Sequence, residues 1–475
     1  MKKSSRLEYL VKNTSIFAIG ELGAKLISFF LVPFYTHILS TEQYGTVDLI
    51  FTICTVIVPL VMLNIGEAIM RYALDEDANY DKLFSISLVI IVIGCIVSLL
   101  IIPISLSINI LANYAIYIYL YVILCATQSV LTSFLRGKEQ LKLYVTCNLL
   151  NTFLIAIFNI IFLAKLHLGI KGYLTAYILA ECISVFFAFM AGKMYCNIRG
   201  FTLDFQLAKK MIFFSLAVVP NSLLWWIMNS SDRVMVTAMC DVSENGILAV
   251  AYKLPSLLTM MNTILMQAWK YSAIKEKNSQ DRDEFNNKML KQFLKGSAIV
   301  AASMILFIKP FTKILFADAY YLSWEASTFL LLGFVFMGLG TFVGTIYYVE
   351  KNMIGNMLSA LVGAIVNLVL NYLFIPKMGA SGATLAACIS YFVILMYRFF
   401  DTKKFQTLNL INIDNIITIG FLIIMMLMNF ASGIIGSLVL IAIYIIFLIY
   451  NRKYLFLYIT KIKNLLAKKQ DMEEV

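Results

Sequence analysis

Apolar runs of membrane-crossing length recur about 14 times along this chain, each supplying the roughly 20 helical residues that a hydrocarbon core about 30 Å thick demands. They lie near Thr14 to Leu39, Tyr44 to Ile69, Leu83 to Ile108, Tyr114 to Leu135, Leu143 to Leu163, Tyr173 to Met194, Met211 to Met235 and Ile247 to Trp269. Six more follow, near Phe293 to Phe316, Ser327 to Val349, Met353 to Ile375, Gly382 to Phe400, Ile413 to Phe430 and Ile434 to Tyr450. The expected fold is therefore an all-α integral membrane protein.

Charge orients the bundle. If the amino terminus, with Lys2, Lys3, Arg6 and Lys12, faces the cytoplasm, about 30 of the 38 Lys and Arg residues fall on that side, as the positive-inside bias requires. The densest groups are Lys193 to Lys210, Lys270 to Lys295 and Arg452 to Lys469, and the carboxyl terminus is expected on the same side. This topology explains most of the net charge of +11. Such loops attract anionic membrane lipid, and no nucleic-acid partner is expected. The first run is too long for a signal peptide and reads as a retained helix.

Catalysis is not expected. The eight cysteines stand singly with no CxxC spacing, and the two histidines, His37 and His167, are placed near the outer surface, so neither a metal centre nor a hydrolytic triad can be assembled readily. The outward loops are short, the longest running from Asp232 to Asn245. Two polar connections stand out on the inner side, Tyr195 to Lys210 and Tyr271 to Gln292.

A repeat divides the chain. Gly169, Gly172 and Ala176 begin the sixth run, and Gly379, Gly382 and Ala386 begin the twelfth, the same GxxGxxxA spacing, preceded by Asn159 and Asn367 respectively. A fainter echo links Ser40-Thr41-Glu42-Gln43-Tyr44-Gly45 to Asp241-Val242-Ser243-Glu244-Asn245-Gly246. Small residues at this spacing admit close helix approach, and packing alone accounts for each motif taken singly. Their recurrence in both halves points to two pseudo-symmetric six-helix lobes, 1–200 and 201–405, followed by two extra helices and a basic tail over 406–475. Transporters place their substrate site between such repeats.

Ionisable residues inside a span are costly and mark a polar interior. They gather in runs 1, 2, 7 and 8. Glu21 and Lys25 share a helix face, as do Glu67 and Arg71; Asp48 begins run 2, Asp232 and Arg233 end run 7, and Lys253 lies about one turn inside run 8. Glu21, Asp48, Glu67 and Asp232 read as coupling or pairing acids. Lys253, two residues before Pro255 and with no acid nearby in its own helix, is the leading candidate for a cationic cavity, with Lys25, Arg71 and Arg233 beside it. The alternatives stay open: Glu21 and Lys25 as a structural pair, Glu67 and Arg71 snorkelling to the surface, Asp232 and Arg233 exposed at the outer end. Lys309 and Lys313, flanking Pro310, read as structural. Asn367 and Asn371 fall on one face and, with Asp232 and Thr384, form a candidate sodium site, against the alternative of interhelical packing.

The segment Leu10-Val11-Lys12-Asn13 through Gly20 and Lys25, the run Val32-Pro33-Phe34-Tyr35-Thr36-His37-Ile38-Leu39-Ser40, then Glu42-Gln43-Tyr44-Gly45, Ile65-Gly66 and Arg71-Tyr72, resembles bacterial polysaccharide flippases of the Wzx type. These share a superfamily with lipid II flippases and multidrug and toxin extruders. The resemblance implies a MATE-like, two-lobed plasma-membrane transporter that moves an undecaprenyl-diphosphate-linked oligosaccharide by alternating access. It implies a cationic cavity to which Lys25 and Lys253 correspond, with Arg71 and Arg233 beyond them. It also implies Na+ or H+ as the coupling ion, no bound cofactor, and polysaccharide polymerase or assembly proteins as partners. The diphosphate needs positive compensation to pass hydrocarbon, and Asn64, Gln128, Trp225 and Trp226 are the candidate glycan contacts. A cation-coupled multidrug exporter of the same fold is the alternative, and a lipid II-type flippase another.

Overall fold

The computed structural model describes residues 3–75, 78–277, 279–350, 352–458 and 460. The chain divides into two compact units, Met1–Gly246 and Ile247–Val475. Every regular element described is helical.

The first unit holds α1 (Lys3–Ile38), α2 (Thr41–Val61), α3 (Ile65–Ala73), α4 (Tyr80–Ser98), the short α5 (Ile101–Leu106) and α6 (Asn109–Ala112), α7 (Ala115–Gly137), α8 (Leu141–Asn159), α9 (Gly169–Ala191), α10 (Met194–Arg199) and α11 (Phe205–Met239). It closes on the start of α12 (Val242–Ala251). Ser40 caps α2 by a capping box with Gln43, each bond 3.2 Å, which satisfies two backbone donors that the helix leaves open. The second apolar run breaks in two. Leu63 and Asn64 adopt φ of 50° and 53° just after Pro59, so the helix stops at Val61 and restarts at Ile65.

The second unit holds α13 (Lys253–Lys275), α14 (Arg282–Leu315), α15 (Ser323–Val349), α16 (Met353–Thr402), α17 (Ile413–Asn429) and α18 (Gly433–Tyr450). Most of α15 is buried, so it is the central post of this unit. Its Gly333 and Gly344 stand against the Cys388 backbone and the Arg398 side chain of α16, the close helix approach that small residues allow in a membrane. Outward faces are apolar: Phe30 is 71 % exposed and Ile434 80 %, a burden that lipid relieves and water would not.

Ten helices among the described residues are long and apolar enough to cross a membrane, eleven if α12 and α13 form one bent span, fewer than the runs counted in the sequence. The shortfall falls at identifiable places. The element α16 holds both runs expected there, as two helices that meet at a kink at Gly379, with φ of 54° and ψ of −132°, and it counts once among the ten. The apolar stretch Ile413–Asn429 is short. The chain is a multi-pass membrane protein.

The GxxGxxxA repeat has a backbone cause. Gly169 and Gly379 both take positive φ, 56° and 54°, at the start of the second helix of a hairpin. Three residues on, Gly172 and Gly382 each press on the preceding helix, at Phe162 and at the Phe374 carbonyl. The two halves thus use the same device at corresponding points.

Candidate functional site

In the first unit α11 lies along α2 and α3, and a seam of polar contacts runs between them. Arg233 Nη1 donates to Asp48 Oδ1 at 2.8 Å, the side chains being 21 % and 11 % exposed. Asp232, buried, accepts from the Arg233 backbone N–H at 2.9 Å. Further along, Trp226 Nε1 donates to the Thr52 carbonyl at 3.0 Å and to Thr55 Oγ1 at 3.1 Å, and Asn64 Nδ2 donates to Ser222 Oγ at 2.9 Å. Between these ties lies a recess lined by Thr55, Pro59, Leu60, Val219, Ser222 and Trp226. Charge is concentrated at one end of the seam, where two carboxylates flank one guanidinium already paired to Asp48, and amide, hydroxyl and indole groups offer hydrogen bonds along the rest.

The remaining expected residues of this unit are scattered. Lys25 is exposed on α1, and the side chain of Glu21 lies outside the described residues, as does that of Trp225. Arg71 pairs with Asp75, just past the end of α3, at 2.6 Å, while Glu67 is exposed one turn earlier on α3. Gln128 is buried and donates to Ser184 Oγ at 2.7 Å, which ties α7 to α9 and removes it from any glycan surface. An open cleft beside Arg71 is lined by Tyr72, Asp75, Asn79, Lys82, Asp204 and Lys210. There Asp204 caps α11 and accepts from Lys82 at 3.0 Å; the Leu207 backbone N–H and then the Lys82 ammonium hold its carboxyl below the ordinary aspartate range.

In the second unit Lys253 is the first residue of α13, directly after the 42° bend that separates α13 from α12. A half-helix that begins inside a span presents the positive end of its dipole there, and the lysine adds a full charge at the same point. Asn367 and Asn371 share a buried face of α16, Asn371 Nδ2 donating to Asn367 Oδ1 at 3.0 Å, while Asn371 Oδ1 is buried with no donor among the described residues. Thr384 lies beyond the Gly379 break and donates to the Ser381 carbonyl at 3.0 Å. Of the four candidate sodium ligands, these three belong to the second unit and Asp232 to the first. The Asn371 carbonyl oxygen is an acceptor suited to a hard cation.

Other charges in this unit are structural ties. Lys309 Nζ donates to the Asn429 carbonyl at 2.5 Å and stands 4.2 Å from the Trp324 ring centroid. Lys295 and Lys291 both reach Asp414, each at 2.7 Å. Arg398, buried in α16, donates to Ser359 Oγ at 2.9 Å, the Gly340 carbonyl at 2.9 Å and Asn356 Oδ1 at 3.0 Å, joining α15 to both halves of α16.

Two buried charges escaped the sequence reading, Arg398 and Glu181. Arg398 is the one Lys, Arg, Asp or Glu of its run and Glu181 shares its run only with Lys193 at the inner end, so the rule that picked out Lys253 applies to both.

Residues 10–270 match the family model described as polysaccharide biosynthesis protein. The fold is similar to that of the lipid II flippase MurJ in an inward closed conformation, with a TM-score of 0.69 and 16 % identity over 92 % of this chain and 99 % of that one. It is also similar to an inward-facing multidrug resistance MATE family transporter of the MOP superfamily, with a TM-score of 0.66 and 15 % identity over 82 % of this chain and 97 % of the other. A MOP superfamily transporter from Pyrococcus furiosus, described as having a binding pocket of reversed polarity, gives 0.57 and 14 % identity over 83 % and 94 %. No curated protein matches the chain.

Proposed function

Because this chain belongs to the polysaccharide biosynthesis protein family, whose fold it shares with MOP superfamily transporters, we propose that it flips an undecaprenyl-diphosphate-linked oligosaccharide across the plasma membrane by alternating access. The observation that carries this reading is Lys253 at the head of α13 after a 42° break in the span. Broken helices whose N-terminal ends meet an anionic group are how transporters hold a charge at mid-membrane. A diphosphate is such a group, and its burial is prohibitive without compensation.

In this reading 1–200 and 201–405 are the two lobes, 406–475 supplies two accessory helices, and both termini are cytoplasmic, as the loop charges favour. Lys25, Lys253 and Arg233 serve the diphosphate, with Arg71 at the mouth. The Trp226 and Asn64 seam faces the glycan, and the lipid tail stays in the bilayer. The Asn371 carbonyl, with Asn367 and Thr384, is the second unit's share of a sodium site. Polymerase or assembly proteins receive the product.

The test is glycan export in cells that carry the chain as their sole flippase. Replacing Lys25 and Lys253 together by Ala is expected to abolish surface polysaccharide and to leave the lipid-linked unit on the inner leaflet. Unchanged export together with altered efflux of cationic dyes overturns the reading in favour of a multidrug exporter. Restoration of peptidoglycan synthesis without restored polysaccharide favours a lipid II-type flippase.

A further inference from the structure

We propose that Glu181 is a proton-binding carboxyl buried in the first unit, and that the hydroxyls of Tyr173 and Tyr177 lead protons to it from the end of the unit where α1 turns into α2. The proposal rests on the reading of the chain as a transporter and names an ion site within it.

Glu181 stands near the middle of α9 and is 6 % exposed. Its Oε1 accepts from Asn151 Nδ2 of α8 at 2.8 Å, while Oε2 is buried with no hydrogen-bond donor among the described residues. No ion pair to it exists among the described residues. The groups that face it from the packed elements are weak acids, Tyr121 and Cys125 on α7, with Cys54 of α2 behind them and Tyr177, one turn before Glu181 on α9, beside Tyr121. The helix α1 packs on α8 through Gly20 and Gly23 at Val145 and Leu149, and its own cation, Lys25, is exposed. A carboxylate held by one hydrogen bond at mid-span carries a desolvation cost that only a proton or entering water removes. The donorless Oε2 is the atom that takes the proton.

Tyr173, Tyr177 and Glu181 recur every four residues and so line one face of α9. The hydroxyls of Tyr173 and Tyr177 are 3.2 Å apart, their rings stacked with centroids at 5.0 Å. Tyr35, near the end of α1, brings its ring centroid to 4.9 Å from that of Tyr173, so its hydroxyl sits beside the Tyr173 and Tyr177 pair. Hydroxyls thus continue from the α1–α2 turn toward the carboxyl through an otherwise aromatic wall formed by Phe51 and Tyr121.

Infrared difference spectroscopy of the full-length chain in lipid nanodiscs, stepped between acid and alkaline buffer, reads this site without any substrate. The wild type is expected to show a carboxylic C=O band that disappears as the pH rises. Glu181→Gln keeps the side-chain volume and should remove that band, Asn151→Leu should shift its frequency, and Glu181→Asp should restore a displaced band. Tyr173→Phe with Tyr177→Phe should slow the band's appearance after a pH jump by about tenfold or more. A band that persists unchanged in Glu181→Gln overturns the proton site, and unaltered kinetics in the double phenylalanine variant overturn the path. Failure of the flippase reading would instead leave the band in place and glycan export untouched by the lysine variants.

Discussion

Gly45 of α2 and Gly246 of α12 are packed reciprocally: a Cβ added to Gly45 would collide with the Val242 carbonyl, and one added to Gly246 with the Thr41 carbonyl. The two pairs are the same contact seen twice, since Thr41 and Gly45 are the counterparts of Val242 and Gly246 in the repeated sequence. Asn245 Nδ2 seals the crossing with a 2.9 Å bond to the Gly45 carbonyl. This is the exchange of partners that a two-fold axis imposes on identical surfaces, retained here by two stretches of one chain.

Side chains at this crossing should force it apart. With Thr41→Cys and Ser243→Cys, whose native hydroxyls are hydrogen-bonded, oxidation is expected to form a disulfide. Adding Gly45→Val should reduce its yield sharply, because overpacking of this kind costs about 1–3 kcal/mol. Equal cross-linking in both backgrounds, read by gel mobility, would contradict the close approach.

The Asp48 and Arg233 pair should be worth more than a surface ion pair, since both side chains are largely shielded. Asp48→Ala is expected to lower stability by about 2–3 kcal/mol by removing the carboxylate partner of a shielded guanidinium. Asp48→Ala with Arg233→Leu should recover part of the loss, measured by thermal unfolding in detergent.

Gly379 and Gly169 hold conformations that a side chain resists. Gly379→Ala should destabilise by about 1–3 kcal/mol, since φ of 54° with ψ of −132° is a region essentially closed to other residues. Gly169→Ala should cost about 1–2 kcal/mol for its positive φ. Equal melting temperatures for wild type and both variants would show that the breaks are not maintained.

Acid sensitivity should arise at Glu350, in the turn after α15. Burial alone would raise its pKa, but hydrogen bonds from Lys277 at 3.0 Å and Arg282 at 2.9 Å outweigh it and hold the carboxyl below the ordinary glutamate range. The folded chain therefore binds this proton less readily than the unfolded one. The resulting stability is fully present above the unfolded value, near pH 4, and drains away as the pH falls through the lower folded value. Glu350→Gln should remove this portion of the acid slope in melting temperature against pH.

Local rules carried the sequence reading a long way. Ser40 and Gln43 are the polar residues that begin a helix, and they do so at α2. The paired glycine motifs marked two of the places where a helix restarts with positive φ. Charges in apolar runs singled out Lys253, which the structure puts at a broken helix. The break at Leu63 and Asn64 was hidden, because Leu63 does not favour positive φ and Asn64, which tolerates it, is no marker of a break by itself.

What the sequence determined by itself is the medium and the material: apolar runs of bilayer length must become helices, because backbone groups in lipid have to satisfy one another along the chain. What only the tertiary structure decided is which polar groups meet. Asp48 finds Arg233, 185 residues away, Glu181 finds Asn151 on the neighbouring helix, and Gly45 finds the carbonyl of Val242. Propensity and hydropathy act over one or two helical turns, whereas ion pairs and close backbone contacts depend on distances that exist only once the helices have packed.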